Sequence, residues 1–189
     1  MNYQNLTLSQ LKQDLIRDAR KGYPIFIAGA LYWFVMGILG FYLEGKTLAL
    51  CYLLGTGSIF PLGIMISRLC KVNFLSKNPL GTLGGIIGGI QAFYLPLWIV
   101  IYMEHYEWIP MAIGLLGASH FLPYMWIYES KTYLFLSIAM ALTSFVFGYV
   151  LIEMAFLLVP FLLTLVYLIT VGSLIRETQN FGRKETLRR

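Results

Sequence analysis

The sequence predicts an all-α polytopic membrane protein: a bundle of six transmembrane helices preceded by an N-terminal amphipathic interfacial helix. Hydrophobic residues make up 58% of the 189 and charged residues only 12%, where a soluble domain carries about 25% charge. Mean hydropathy is +0.71. A soluble fold with so little polar material cannot cover its exterior, and a chain this apolar is not disordered. The third observation is a series of six uncharged apolar stretches: Tyr23–Leu43, Thr47–Ile66, Leu80–Met103, Trp108–Tyr128, Thr132–Ile152 and Met154–Ile175. Each is close to the roughly 20 residues a helix needs to cross a bilayer. The chain therefore divides into an interfacial helix (1–22), a transmembrane domain (23–175) and a basic tail (176–189).

The segment before Tyr23 is not read as a signal peptide, because the apolar run that follows is too long and lacks a small-residue cleavage site. Thr7 and Gln10 have capping-box spacing, with Leu6 and Leu11 placed as a hydrophobic staple. Leu8, Leu11, Leu15, Ile16 and Ala19 then share one helical face, Lys12, Arg17, Arg20 and Lys21 occupy the rest, and Gly22 suits a C-cap. Such a helix fits an anionic membrane surface. It equally fits a helix docked on the protein's own cytoplasmic side.

The spans carry internal signals. Leu54-Gly55-Thr56-Gly57-Ser58-Ile59-Phe60-Pro61 aligns with Leu116-Gly117-Ala118-Ser119-His120-Phe121-Leu122-Pro123. The same offset maps the first span onto the third, which suggests a parallel repeat of a two-helix hairpin. The third span opens with Gly81, Gly84, Gly85, Gly88 and Gly89, a GxxxG series that predicts a central, tightly packed helix. Pro24, Pro79 and Pro110 stand near helix starts, whereas Pro61, Pro96, Pro123 and Pro160 are interior and predict kinks whose freed carbonyls need new donors. The last two spans are separated only by Glu153. As one helix they would run about 66 Å, twice the thickness of a bilayer core, so the chain reverses there.

Six crossings put both termini on one side. Taking that side as cytoplasmic places every one of the 14 Lys and Arg residues inside except Lys46, as the positive-inside rule demands. The basic tail is short and has no folded reader, so nucleic acid is excluded as a partner. Cys51 and Cys70 would be about 28 Å apart along a helix, too far for a disulfide. The Asn5-Leu6-Thr7 sequon falls on the cytoplasmic side, where it is silent.

With so little chain outside the spans, function must use the few polar side chains within them, since an unpaired polar group in hydrocarbon is costly. Gln91 and His120 stand equally far from an outer boundary, at Met103 and Trp108 respectively. That puts both about 18 Å deep and within hydrogen-bonding reach. Ser58, Ser119 and Tyr32 approach the same layer. These five residues form the expected small-solute site. The same groups could instead be helix glue. No catalytic constellation, metal set or cofactor motif is recognised: one histidine without a neighbouring acid or nucleophile is a poor enzyme.

Gly117-Ala118-Ser119-His120-Phe121-Leu122-Pro123-Tyr124-Met125-Trp126-Ile127-Tyr128 resembles the His-x-x-Pro segment of small uncharacterised bacterial multi-pass inner-membrane protein families, and Leu15–Gly22 is similar to their charged lead-in. The resemblance implies a helical membrane fold and a bacterial cytoplasmic-membrane location, and carries no activity. Two functions remain: a small-solute transporter or permease-like protein with a midplane polar site, or a non-catalytic interaction or regulatory protein that binds lipid, a second copy or another membrane protein.

Overall fold

The computed structural model describes residues 3–187. Most of them are helical, with no strand among them. The helices are α1 (Leu8–Ala19), α2 (Tyr23–Leu39), α3 (Gly45–Thr56), α4 (Ile59–Leu69), α5 (Pro79–Gly89), α6 (Leu95–Glu104), α7 (Ile109–Ser119), α8 (Leu122–Ile127), α9 (Lys131–Phe145) and α10 (Ala155–Thr186). Arg188 and Arg189 of the basic tail lie outside the described residues.

Four helical stretches are long and apolar enough to cross a membrane: Leu8–Leu39, which is kinked at residues 20–22, Pro79–Glu104, Lys131–Val150 and Ile152–Arg183. The pair α3 and α4, bent by 47° at its break, makes a fifth. The expected span Trp108–Tyr128 is not one helix; it is α7 and α8 with a turn at His120 and Phe121. Pro123 lacks the N–H that would continue the ladder to Ser119, and the Ser119 hydroxyl donates to the Leu116 carbonyl at 2.7 Å. The helix stops there and restarts with Pro123 in its first turn.

Most interior prolines act this way. Pro61 and Pro96 also fall in the first turn of a restarted helix. Pro160 alone stays inside its helix, α10. A proline cannot donate to the carbonyl four residues earlier, here Phe156, and the Tyr52 hydroxyl donates to that carbonyl at 2.9 Å. The expected reversal near Glu153 is present. A π-turn at Val146–Val150 and a 3-10 turn at Ile152–Met154 fold α10 back along α9.

The core is α2 against α10 and α4, and α9 against α7 and α10. Glycines set these crossings. A Cβ at Gly29 would collide with the Tyr167 ring, one at Gly37 with Phe161, one at Gly63 with Ile25, and one at Gly114 with Ser144. The GxxxG series of α5 does something different. Gly84 and Gly88 face Tyr124, whereas Gly85 and Gly89 have nothing within 4 Å. Only 6% of the most apolar part of Pro79–Glu104 is buried inside the protein, against 56% for Leu8–Leu39. The expected central helix is therefore the outermost one, since small residues permit close approach without supplying a neighbour.

At the end of the bundle where α1 lies, polar side chains hold the connections together. The Thr7 hydroxyl accepts from the Gln10 N–H while the Gln10 side chain accepts from the Thr7 N–H, completing the capping box. Leu15, Ile16 and Ala19 are buried against the bundle, and Ser9, Gln10 and Gln13 are exposed. Most of the apolar face of α1 is thus spent on the protein itself, with Leu8 left exposed. Asn78 donates to the Leu11 carbonyl and the Asp14 carboxylate, Ser76 donates to Asp18, Lys12 pairs with Glu129, and Lys21 pairs with Glu177. α1 thereby ties down residues 73–78 and residue 129, and the turn that follows it ties down the far end of α10. The expected C-cap at Gly22 is part of a longer feature: Arg20, Lys21 and Gly22 all have left-handed backbone, with φ of 45°, 54° and 67°.

Candidate functional site

The structure joins Gln91 and His120. Pro96 cannot donate to Ala92, the Leu95 N–H bonds Ala92 instead, and the chain tightens into a 3-10 stretch, Ile90–Tyr94, that presents Gln91. His120 sits at the break between α7 and α8. The Gln91 amide nitrogen lies 2.6 Å from His120 Nδ1 and 3.1 Å from Nε2, and Nδ1 also meets the Gly117 carbonyl. A carbonyl can only accept, so the contact with Gly117 calls for a proton on Nδ1. The imidazole is held between Gly117 and the Gln91 side chain.

Ser119 lies beside this pair, with its hydroxyl 3.2 Å from the Tyr94 hydroxyl. Ser58 and Tyr32 belong to a separate group in the first hairpin. Ser58 donates to the Gly55 carbonyl at 2.6 Å, Tyr32 donates to the Tyr52 carbonyl at 2.9 Å, and Gly55 leaves room for the Tyr32 ring. The five expected residues thus form two clusters, and the repeat relates them. Ser58 and His120 are equivalent positions in the two aligned segments. Ser58 bonds the carbonyl of Gly55 as His120 bonds that of Gly117, each one turn back along its helix. Tyr32 and Tyr94 are equivalent at the same offset, and each lies against the second helix of its hairpin just before the break.

A second place was missed by sequence reasoning. A cleft of about 350 Å³ opens at the α1 end between Gln13, Lys21, Glu129, Glu177 and Phe181. The Lys21 side chain is 8% exposed, and its ammonium donates to Glu177 at 2.7 Å. Glu177 also accepts from the Thr132 hydroxyl at 2.6 Å. α10 has 32 residues, about 48 Å of helix, so Glu177 stands beyond the apolar part that ends at Ile175. Burial pushes its carboxyl upward, but the hydrogen bonds from Lys21 and Thr132 outweigh this and hold it below the ordinary carboxylate value. In the sequence these charges read only as topology signals. Their αL positions, Lys21 and Glu129, have no composition cue, because non-glycine residues rarely adopt that backbone.

Stacked rings connect the two places. Tyr124, Tyr128 and Tyr133 are nearly parallel, with centroids 5.6–6.2 Å apart. Tyr124 lies 6.3 Å from the His120 ring, and Tyr133 donates to the Lys21 carbonyl at 2.7 Å. Among the described residues no group of three or more His, Cys, Asp or Glu side chains is placed to hold a metal.

Residues 8–177 match the model of a family described as "Family of unknown function (DUF7010)", and the chain belongs to that family. No curated protein and no solved structure matches it.

Proposed function

We propose that this chain is a multi-pass protein of a bacterial cytoplasmic membrane, with six crossings and both termini cytoplasmic, that binds a small polar solute at Gln91 and His120 as a permease-like carrier. The bent α3–α4 pair and the broken α7–α8 segment serve as the second and fourth crossings. The distribution of Lys and Arg sets the orientation. Membrane embedding is supported by large apolar side chains left open all around the bundle, among them Leu54, Phe60, Phe93 and Val100, each more than half exposed, as suits a lipid solvent.

The observation that carries the solute reading is that polar residues coincide with helix breaks. Ser58, Gln91 and His120 each sit where a span is interrupted. Broken helices at mid-depth are the way transporter folds present polar groups to a substrate without exposing them to lipid.

A second reading rests on a different observation. The Pro79–Glu104 arm is almost unburied, which suits a protein that docks another membrane helix. Native mass spectrometry of the full chain released in mild detergent separates the two. A stoichiometric small molecule on the wild type, absent from a His120→Phe/Gln91→Met variant that still folds, is the expected result. Either the bare mass or only lipid or a second polypeptide, alike in wild type and variant, overturns the solute reading.

A further inference from the structure

The connection from α4 to α5 is a strap with two unlike sides. We propose, building on the membrane reading, that its outer side is a contact for anionic phospholipid headgroups, with leucines seated in the membrane boundary and cations on the phosphates. Along the strap, burial alternates. Val72, Ser76 and Asn78 are buried, whereas Lys71, Asn73, Leu75 and Lys77 are exposed. The inner side is fastened to α1. The Asn73 N–H donates to the Asp18 carbonyl at 3.1 Å, Ser76 donates to the Asp18 carboxylate at 2.7 Å, and Asn78 donates to the Leu11 carbonyl and the Asp14 carboxylate. The strap backbone is held by these bonds, and the protein supplies no cover for the outer row.

The outer side combines apolar surface with uncompensated charge. Leu75 is 61% exposed, and Leu69, in the last turn of α4, is 76% exposed. Met65, one turn earlier, is also more than half exposed, so Leu69 continues the open apolar row of α4 to the point where the cations begin. Arg68, Lys71 and Lys77 are exposed, and among the described residues none of them pairs with a carboxylate. Arg20 joins them from the end of α1, where the Tyr23 hydroxyl interacts with both Arg20 and Cys70. The acids beneath the strap are occupied: Asp18 accepts from Asn73 and Ser76, and Asp14 from Asn78.

Exposed leucines bordered by unpaired cations match a bilayer boundary with anionic headgroups, where the apolar side chains reach the acyl region and each cation gains from the negative surface. An acidic soluble protein would satisfy the cations, but it gives no reason for the apolar row to run on from the open face of α4. A zwitterionic surface would leave the cations uncompensated. α1, the interfacial element expected from the sequence, has most of its apolar face against the bundle, and the strap that it fastens takes the surface role.

The test places the full chain in bilayer discs of mixed phosphatidylglycerol and phosphatidylcholine, releases it, and counts retained lipid by native mass spectrometry. The wild type is expected to retain phosphatidylglycerol over phosphatidylcholine by about tenfold. Lys71→Gln/Lys77→Gln brings the two lipids close to parity. Lys131→Gln/Arg176→Gln, which removes the same charge from exposed positions outside the strap, leaves the preference unchanged. A Leu75→Trp variant reads depth, because its added fluorescence is quenched by lipid brominated near the headgroup end of the chain. No preference in the wild type, a preference that survives Lys71→Gln/Lys77→Gln, an equal loss in both charge variants, or an added tryptophan that escapes quenching overturns the proposal while leaving the membrane reading intact. Failure of the wild type to enter discs at all overturns both.

Discussion

The first and second hairpins carry the same motif, from Leu54 to Pro61 and again from Leu116 to Pro123, and they are built to different tightness. In the first, α2 runs unbroken past Gly29, which receives the Tyr167 ring of α10, and Gly63 of α4 receives Ile25. In the second, the position equivalent to Gly29 is Gln91. It lies in a 3-10 interruption and is held by its hydrogen bond to His120. α10 covers the first hairpin, whereas the second has its glycines Gly85 and Gly89 facing open space. A repeated motif reproduces the local break, because proline and side-chain-to-carbonyl bonds act within a single turn or two. It does not reproduce packing, because α10 lies along α2, whereas the equivalent Pro79–Glu104 arm is left almost unburied.

The strongest way to break this contrast is to fill the glycines. Gly29→Ala drives a methyl into the Tyr167 ring and is expected to cost about 1–3 kcal/mol. Gly85→Ala on the open face should cost nothing and gain up to about 1 kcal/mol of helix propensity. Reversible unfolding of both variants in detergent measures the difference, and equal effects would mean that the second hairpin is covered as closely as the first.

A double-mutant cycle with Gln91→Leu and His120→Phe sharpens the comparison at the polar pair. The expected coupling is about 1 kcal/mol. A coupling near zero would mean the arm is held by its apolar contacts alone.

A smaller effect is expected at the tether that pins the start of α2 to α10. Glu177 has its carboxyl held below the ordinary value by Lys21 and Thr132, against the upward push of burial. Its folded pKa is depressed, so the stabilisation is full above the ordinary carboxylate value of 4.5 and is lost as pH falls through the lower folded value. The side chain keeps 30% exposure, and water screening keeps the effect modest. Stability followed from mildly acidic pH down to well below the carboxylate range should fall less steeply in Glu177→Gln than in the wild type; parallel curves would remove the tether from the account.

Part of this fold was legible because it rests on local rules. The Thr7–Gln10 capping box, the helix starts at Pro24, Pro79 and Pro110, and the reversal near Glu153 all appear in the structure. The pairing of Gln91 with His120 followed from equal depth along adjacent segments. The break at His120 was harder to see, since Pro123 could have bent the helix without ending it, as Pro160 does in α10. What tips the balance is the carbonyl each proline frees. Tyr52 reaches the one at Phe156 from α3, and nothing in a linear pattern announces a donor so far away along the chain.

By itself the sequence determined the apolar, all-helical character of the chain and most of its helix-forming segments. These follow from composition, period and the missing proline N–H, which operate over one or two turns. Tertiary structure alone decided that the glycine-rich helix lies outside, that α1 spends most of its apolar face on the bundle, and that Lys21, Glu129 and Glu177 surround one cleft. Those outcomes depend on which surfaces meet. Partners far apart in the chain, such as Lys12 and Glu129 or Lys21 and Glu177, carry no mark of one another until the chain has folded.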